Sequence, residues 1–473
     1  MAKTTEPQRA TVALARMPER NLQEQALRAL IAEALAPFGG LAKHVKQGAR
    51  VLLKPNQTLG RVALMGSTTS PRLIRALISE CFDCGAREVW VAEAAGHAQS
   101  TRHVMSQTGL AQAVRGTGAH LIYLEEIAQK VVFFGRDAKG LRYMPVPEII
   151  ERADVIINVP KAKTHFVDPI SGACKNWVGV MPMAFRLFLQ READPYYRGN
   201  ALLLRKFRPA LNIMDGGYAG EGQGPGGNTP FWWGWLLASD DPVAMDVTVA
   251  RLFDLPWERL RMAREAAEAG VGVFDPKRID LVGASFEEAR RPVQAADPSV
   301  HRYPCRVLVG RGATIEGTLG HWKTMADAWL EYDLWHLFTA RGRPTFMFGA
   351  VEDPDFEEHL KEGPYVVLDD SALDTYKYDP RVIFVPGSPV PQSYMQNEML
   401  EGMGFGRLYA PGRRAFEGAL TWLGEMRGVS GRSAQAKAIG KALGYAAAAV
   451  GAPLALGAVA RSRRRGGSAE EAG

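Results

Sequence analysis

Residues 153–165 read ADVIINVPKAKTH. A short apolar run broken only by one asparagine and stopped by proline has the length and composition of a buried strand. Lys161, Lys163 and His165 follow it directly. The same arrangement recurs along the chain. RVLLKPN from Arg50, EVWVAEA from Glu88, HLIYLEE from His120, ALNIMDG from Ala210, GWLLASD from Gly234 and IDLVG from Ile279 are further apolar runs, most of them separated by helical patterns. Strand and helix in alternation predict an α/β fold: a mostly parallel but mixed sheet with helices on both faces. An amphipathic helix is expected over residues 20–38. From Pro304 a second series, CRVLVG, PTFMFG, YVVLDD and RVIFVPG, predicts a smaller α/β domain with helices over 323–332 and 392–402. The expected organisation is an N-terminal extension over 1–47, a main domain over 48–290, a smaller domain over 304–428 and an Ala/Gly-rich basic helical tail over 429–473.

In open α/β sheets ligands bind beyond the carboxyl ends of the strands, where helix N-termini offer free N–H groups. The charged residues of this chain sit at those ends. Lys54 and Asn56 follow one apolar run, Glu93 and His97 the next, Lys161, Lys163 and His165 another, and Asp215 a fourth. They are expected to converge on one crevice, joined by Lys175 and Asn176. Thr69 or Ser70 ahead of Pro71, and Asp240 or Asp241 ahead of Pro242, have the pattern of helix N-caps, and the first pair would favour an anion. Lys161, Lys163, His165 and Lys175 would repel one another unless an anion or carboxylates joined them.

His165, near neutrality and beside lysines that keep it uncharged, is the expected general acid or base. Lys54, Lys161 and Lys163 would hold carboxylate or phosphate groups, and Lys175 would be a covalent tether or an electrophilic stabiliser. The stretch GGYAGEGQGPGG, Gly216 to Gly227, follows no nucleotide-binding pattern and reads as a flexible loop, with Glu221 and Asp215 as weak metal candidates beside His97. Cys81 and Cys84 fall near the end of a helix and read as packing. Cys174, beside Lys175, could be a low-pKa thiolate but also reads first as packing. His321 and Lys323 could face a cleft between domains.

Four cysteines in 473 residues provide neither a disulfide framework nor a closely spaced iron–sulfur motif, so no iron–sulfur cluster is expected and a reducing, cytoplasmic setting fits. The formal charge of +6 owes part of its excess to Arg461–Arg465, and no nucleic-acid partner is expected. Residues 442–460 form an uncharged run rich in alanine and glycine and interrupted by Pro453. A helix lying on an anionic membrane surface is favoured over a span, which would place residues 433–465 at a membrane.

VLLKPN, TTSP, EVWVAEAAG, ADVIINVPKAKTH, SGACKNWVGVMP, DGGYAGEGQGPGG and LASDDPVAMD, in this order, resemble the family called domain of unknown function 362 over residues 48–285. That resemblance implies no agreed activity. More distantly, Lys54-Pro55, Gly96-His97, and His165 followed ten positions later by Lys175 are similar to the nickel-pincer lactate racemases. This likeness implies an active site between two α/β domains, two histidines that trade the substrate's hydroxyl proton, and a nickel pincer tethered to the lysine. The family's metal-binding histidine after that lysine has no counterpart, since none occurs between Lys175 and His301. Together these readings predict an enzyme acting on a small anionic metabolite by racemase- or epimerase-like acid–base chemistry. The alternative is a membrane-attached anion-binding or sensor protein without turnover.

Overall fold

The protein is described by a computed structural model over residues 9–96, 99–135, 140–331 and 333–403. His97 and the tail over 429–473, with its apolar run, lie outside the described residues. Met1–Met395 cluster as one compact unit and Gln396–Gly473 as another. The architecture below is that of the first.

Fifteen strands are present among the described residues: β1 (Ala10–Arg16), β2 (Arg50–Pro55), β3 (Glu88–Glu93), β4 (His120–Tyr123), β5 (Gln129–Phe133), β6 (Tyr143–Pro147), β7 (Val155–Val159), β8 (Lys161–Lys163), β9 (Leu211–Gln223), β10 (Gly227–Ser239), β11 (Ile279–Val282), β12 (Arg306–Val309), β13 (Thr345–Phe348), β14 (Tyr365–Leu368) and β15 (Ile383–Val385). The main sheet runs β11-β1-β10-β9-β7-β2-β3-β4, with β8 paired to β9. β10 is antiparallel to both its neighbours, and every other pairing in this sheet is parallel. The fold is therefore the mixed, mostly parallel α/β sheet expected. β5 and β6 form a separate two-stranded pair.

The central strands are apolar without interruption because helices cover both faces of the sheet. Successive side chains point to opposite faces, so Leu52, Trp90 and Ile156 enter one core while Val51, Leu53, Val91 and Ile157 enter the other. The helices Ala193–Lys206, Pro242–Leu252 and Arg261–Glu268 supply the first core. Glu24–Leu35 and Pro71–Asp83 supply the second.

Two features depart from the sequence reading. Ala10–Arg16, placed there in an N-terminal extension, is a strand between β11 and β10. The glycine-rich stretch from Gly216 is not a loop: it forms the arms of the long hairpin β9–β10. Glycine is poorly suited to strands because it leaves nothing to pack, yet here close approach needs it. A Cβ on Gly220 would lie 2.7 Å from the Gly66 carbonyl oxygen, and one on Gly66, at φ +69°, 2.4 Å from that of Ala219. The turn Ala63–Met65 thereby rests directly on the hairpin backbone.

The second sheet, β12-β13-β14-β15, is parallel throughout. Trp322, on the helix Thr318–Glu331, fixes that helix to it, with ring centroids 5.1 Å from Phe346 and 5.4 Å from Phe348.

Candidate active site

Beyond the carboxyl ends of β2 and β3 lies a cleft enclosing about 430 Å³, lined among others by Lys54, Asn56, Glu93, His165, Lys175, Asn176 and Arg186. Its deepest element is an ion pair. Lys54 is the penultimate residue of β2, Glu93 ends the adjacent β3, and their side chains meet at 2.6 Å with both buried. Burial presses the ammonium down and the carboxyl up from their ordinary values. The short contact opposes this, as do the Gln57 and Ala94 N–H groups donating to the carboxylate at 2.9 Å and the Pro55 carbonyl accepting from Lys54 at 3.0 Å. Gly179 belongs to the site for a steric reason: a Cβ there would lie 2.5 Å from Glu93 Oε1 and 2.9 Å from Lys54 Nζ.

Behind the pair runs a ladder of buried amides. Asn56 donates to Asn176 at 3.0 Å, Asn176 to Asn158 at 2.8 Å and Asn158 to Asn212 at 2.9 Å, which ties β2, β7 and β9 to the helix Gly172–Asn176. Lys163 is enclosed beneath it, donating to the Ser67 carbonyl (2.6 Å), Asn56 Oδ1 (3.2 Å) and the Pro225 carbonyl (3.3 Å), all neutral acceptors. Burial, with Lys161 and Lys175 adding repulsion, pulls it down to about 7. It braces Asn56 and the hairpin turn and is not among the cleft-lining residues.

His165 lines the cleft, with its Nδ1 accepting a hydrogen bond from the Val167 N–H at 3.0 Å. Burial, then Lys175 and Lys163, hold the ring well below its ordinary value, so it is neutral. With Nδ1 an acceptor, the ring proton resides on Nε2. Of the two expected roles, general acid or base, this arrangement leaves the donor: the lone pair of the neutral ring is spent on the Val167 N–H, and the remaining nitrogen carries a proton.

Two cations complete the wall. Lys175 donates to the Tyr196 hydroxyl at 3.0 Å and lies 5.3 Å from that ring's centroid. Arg186, on the short helix Met183–Leu189, is buried and donates to the Ala95 and Met181 carbonyls, both at 3.1 Å, while its Nε has no partner. Neither cation is ion-paired among the described residues. Arg186 was missed in the sequence because a single arginine in MAFRLFL reads as an ordinary surface residue of an amphipathic helix.

The remaining residues named in the sequence go elsewhere. Lys161 pairs with Asp215 at 2.9 Å, and both line a different cleft together with Ser70. The single crevice expected is thus two. Asp215 also accepts the Ser70 N–H (2.8 Å) and the Gly217 N–H (3.1 Å), and Thr69 donates to the Val159 carbonyl while accepting from the Asn56 N–H. Ser70 ends up as the N-cap of Pro71–Asp83 without a side-chain bond, and its N–H is already taken by a carboxylate. Asp241 caps Pro242–Leu252 through the Val243 and Ala244 N–H groups.

Glu221 accepts the Gln294 N–H. It does not meet Asp215 at a metal site, and no three His, Cys, Asp or Glu side chains are placed to hold a metal among the described residues. Cys174 is enclosed, and burial together with Asp246 raises its thiol far above the ordinary value, so it is no thiolate. His321 is buried against the Val390 carbonyl and Lys323 against Asp327 and the Tyr303 hydroxyl, so neither lines this cleft.

Asp246 positions Lys175 and Asn176 from behind. Its carboxylate accepts the Ala173 and Cys174 N–H groups at 2.5 and 2.9 Å, at the start of the helix that carries both residues. Burial nevertheless pushes its carboxyl up to about 7. An unfolded aspartate titrates near 3.9, so between about pH 4 and 7 the folded chain holds a proton that the unfolded chain has lost, and stability falls as pH rises. Urea unfolding at pH 4.5 and 7.5 is expected to show this fall, reduced in Asp246→Asn. An equal fall in the variant would exclude Asp246 as its source.

The chain resembles known proteins as follows. The family model described as "Domain of unknown function (DUF362)" matches residues 51–251, within the span of the resemblance seen in the sequence. A thylakoid-associated protein of Synechocystis sp. is 28% identical over 286 residues, which cover 57% of this chain and 85% of that protein. Among solved structures, a structural-genomics target from Thermotoga maritima has a TM-score of 0.30 at 10% identity, covering 79% of this chain and 98% of the other. The lactate racemase apoprotein of Thermoanaerobacterium thermosaccharolyticum has a TM-score of 0.34 at 9% identity, covering 83% and 91%. No described helix is long and apolar enough to cross a membrane.

Proposed function

We propose that the cleft binds a small metabolite bearing a carboxylate or phosphate, and that the protein is an enzyme moving a proton on that metabolite, in the manner of a racemase or epimerase. The observation that carries this reading is the pair Lys175 and Arg186, two cations lining one cleft of which neither is ion-paired among the described residues. Buried positive charge is costly unless an anion answers it. An Arg fork and a Lys point charge suit the oxygens of either anion.

The chemistry divides among the neighbours. His165, neutral and protonated at Nε2, donates to a substrate oxygen and stabilises charge that develops there. Glu93 is the carboxylate lining the cleft, and burial raises its proton affinity, so it takes the role of proton acceptor in place of His165. Lys54 stabilises the ionised form between transfers.

The test is proton magnetic resonance in deuterated buffer with a panel of 2-hydroxy acids and phosphate esters. Loss of a carbon-bound proton signal with the wild-type protein, abolished in Glu93→Gln while calorimetric binding persists, is the expected result. Failure of every compound to bind overturns the reading. Binding with no exchange under any condition supports the second reading, an anion sensor without turnover, which the committed lone pair of His165 favours. The thylakoid-associated relative is consistent with a sensor held at a membrane.

A further inference from the structure

The second cleft, on the Lys161–Asp215 side, opens to solvent and shares no lining residue with the first. We propose that it is a binding site for a small aromatic carboxylate.

One wall is aromatic. Tyr218 and Trp232 are cross-strand partners on the β9–β10 hairpin, with ring centroids 5.2 Å apart and planes at 71°. Both are half-buried, so part of each ring surface remains open to a flat ligand. Leu22 and Leu73 add aliphatic lining. A slot with aromatic and aliphatic sides favours a planar apolar body over a hydrated sugar or a free phosphate.

The charged groups specify the acid. Arg20 lies 5.9 and 6.0 Å from the Tyr218 and Trp232 centroids, and Arg72 opens the helix Pro71–Asp83. Both are exposed and, like the Glu19 carboxylate that lines the same cleft, make no hydrogen bond or ion pair among the described residues, so two planar guanidinium forks line the cleft with no anion paired to them. Lys161, almost wholly buried at 1% exposure, spends one hydrogen bond on Asp215 and has no second acceptor among the described residues. Asp215 is saturated by Lys161, Ser70 and Gly217, so it does not neutralise the arginines. A carboxylate at the rim with its ring against Tyr218 and Trp232 satisfies both halves of the site. Arg20, already near both rings, would form one edge of the stack.

Isothermal titration calorimetry of the full chain with 1-naphthoate tests this, with 1-naphthamide as the uncharged counterpart. The expected result is saturable one-site binding of the acid, at least about tenfold weaker for the amide and at least about tenfold weaker in the Arg20→Gln/Arg72→Gln double variant. His165→Ala, altered in the first cleft, should bind 1-naphthoate as the wild type does. Because the arginines are exposed, their loss should leave the melting temperature unchanged and the comparison clean. Absence of saturable binding, equal binding of acid and amide, insensitivity to the arginine substitutions, or loss in His165→Ala would each overturn the proposal. The last outcome would place the probe in the first cleft instead.

Discussion

Glu93→Ala is expected to lower the stability of the protein by about 3–5 kcal/mol, because it strands the Lys54 ammonium where nothing else can neutralise it. Lys54 is fully buried, and without Glu93 it keeps only the Pro55 carbonyl. The Gln57 and Ala94 N–H groups lose their acceptor at the same time. Replacing both charges, as in Lys54→Met/Glu93→Leu, should cost clearly less than Glu93→Ala alone, since a buried pair is itself expensive to desolvate. Urea unfolding of the three variants measures this. A double variant as unstable as the single one would mean that the amide ladder and the Gly179 contact, rather than charge, govern the site.

The second large effect concerns the unpaired cations. Lys175→Met and Arg186→Met should each weaken binding of the anion proposed for the cleft by roughly 10- to 100-fold, the loss of one charge-assisted hydrogen bond of about 1.5–3 kcal/mol. The two differ in what happens to the fold. Lys175 gives up only the Tyr196 hydroxyl and should leave the melting temperature nearly unchanged. Arg186 also serves the Ala95 and Met181 carbonyls, so its removal should lower that temperature as well. Thermal melts beside calorimetric titrations with phosphate and lactate separate these effects. Wild-type affinity in Lys175→Met would remove it from the site.

Much of this was legible from local pattern. Strands such as Leu52–Leu53 and Ile156–Ile157 announce themselves because both faces are buried, and Lys54 and His165, at strand ends, meet Lys175 and Asn176 from the helix Gly172–Asn176 at one cleft. The rest depends on partners distant in sequence. That Lys161 is neutralised by Asp215, and so leaves the cleft, follows from the pairing of β8 with β9. That His165 is a donor follows from one backbone N–H two residues on. The glycines of the hairpin looked like a loop because strand propensity counts side chains, whereas Gly66 and Gly220 are selected by a contact between two backbones. Arg186 shows no local sign of its burial.

The position of β1 has a consequence for how the chain is made. It is translated before the other fourteen described strands, yet its sheet partners are β10 and β11, and the Ser239 hydroxyl that donates to the Thr11 carbonyl is 228 residues away. On the ribosome β1, with its three alanines, Val12 and Leu14, must therefore wait, unpaired, while the whole centre of the sheet is synthesised. Contacts of such separation form late and leave apolar surface exposed in the interval. The strand closes the sheet over β10, so a nascent chain that has already completed the Lys54–Glu93 cleft still carries an open edge. Engagement of chaperones with this protein should end only once β11 has emerged and β1 can be drawn in between its two neighbours.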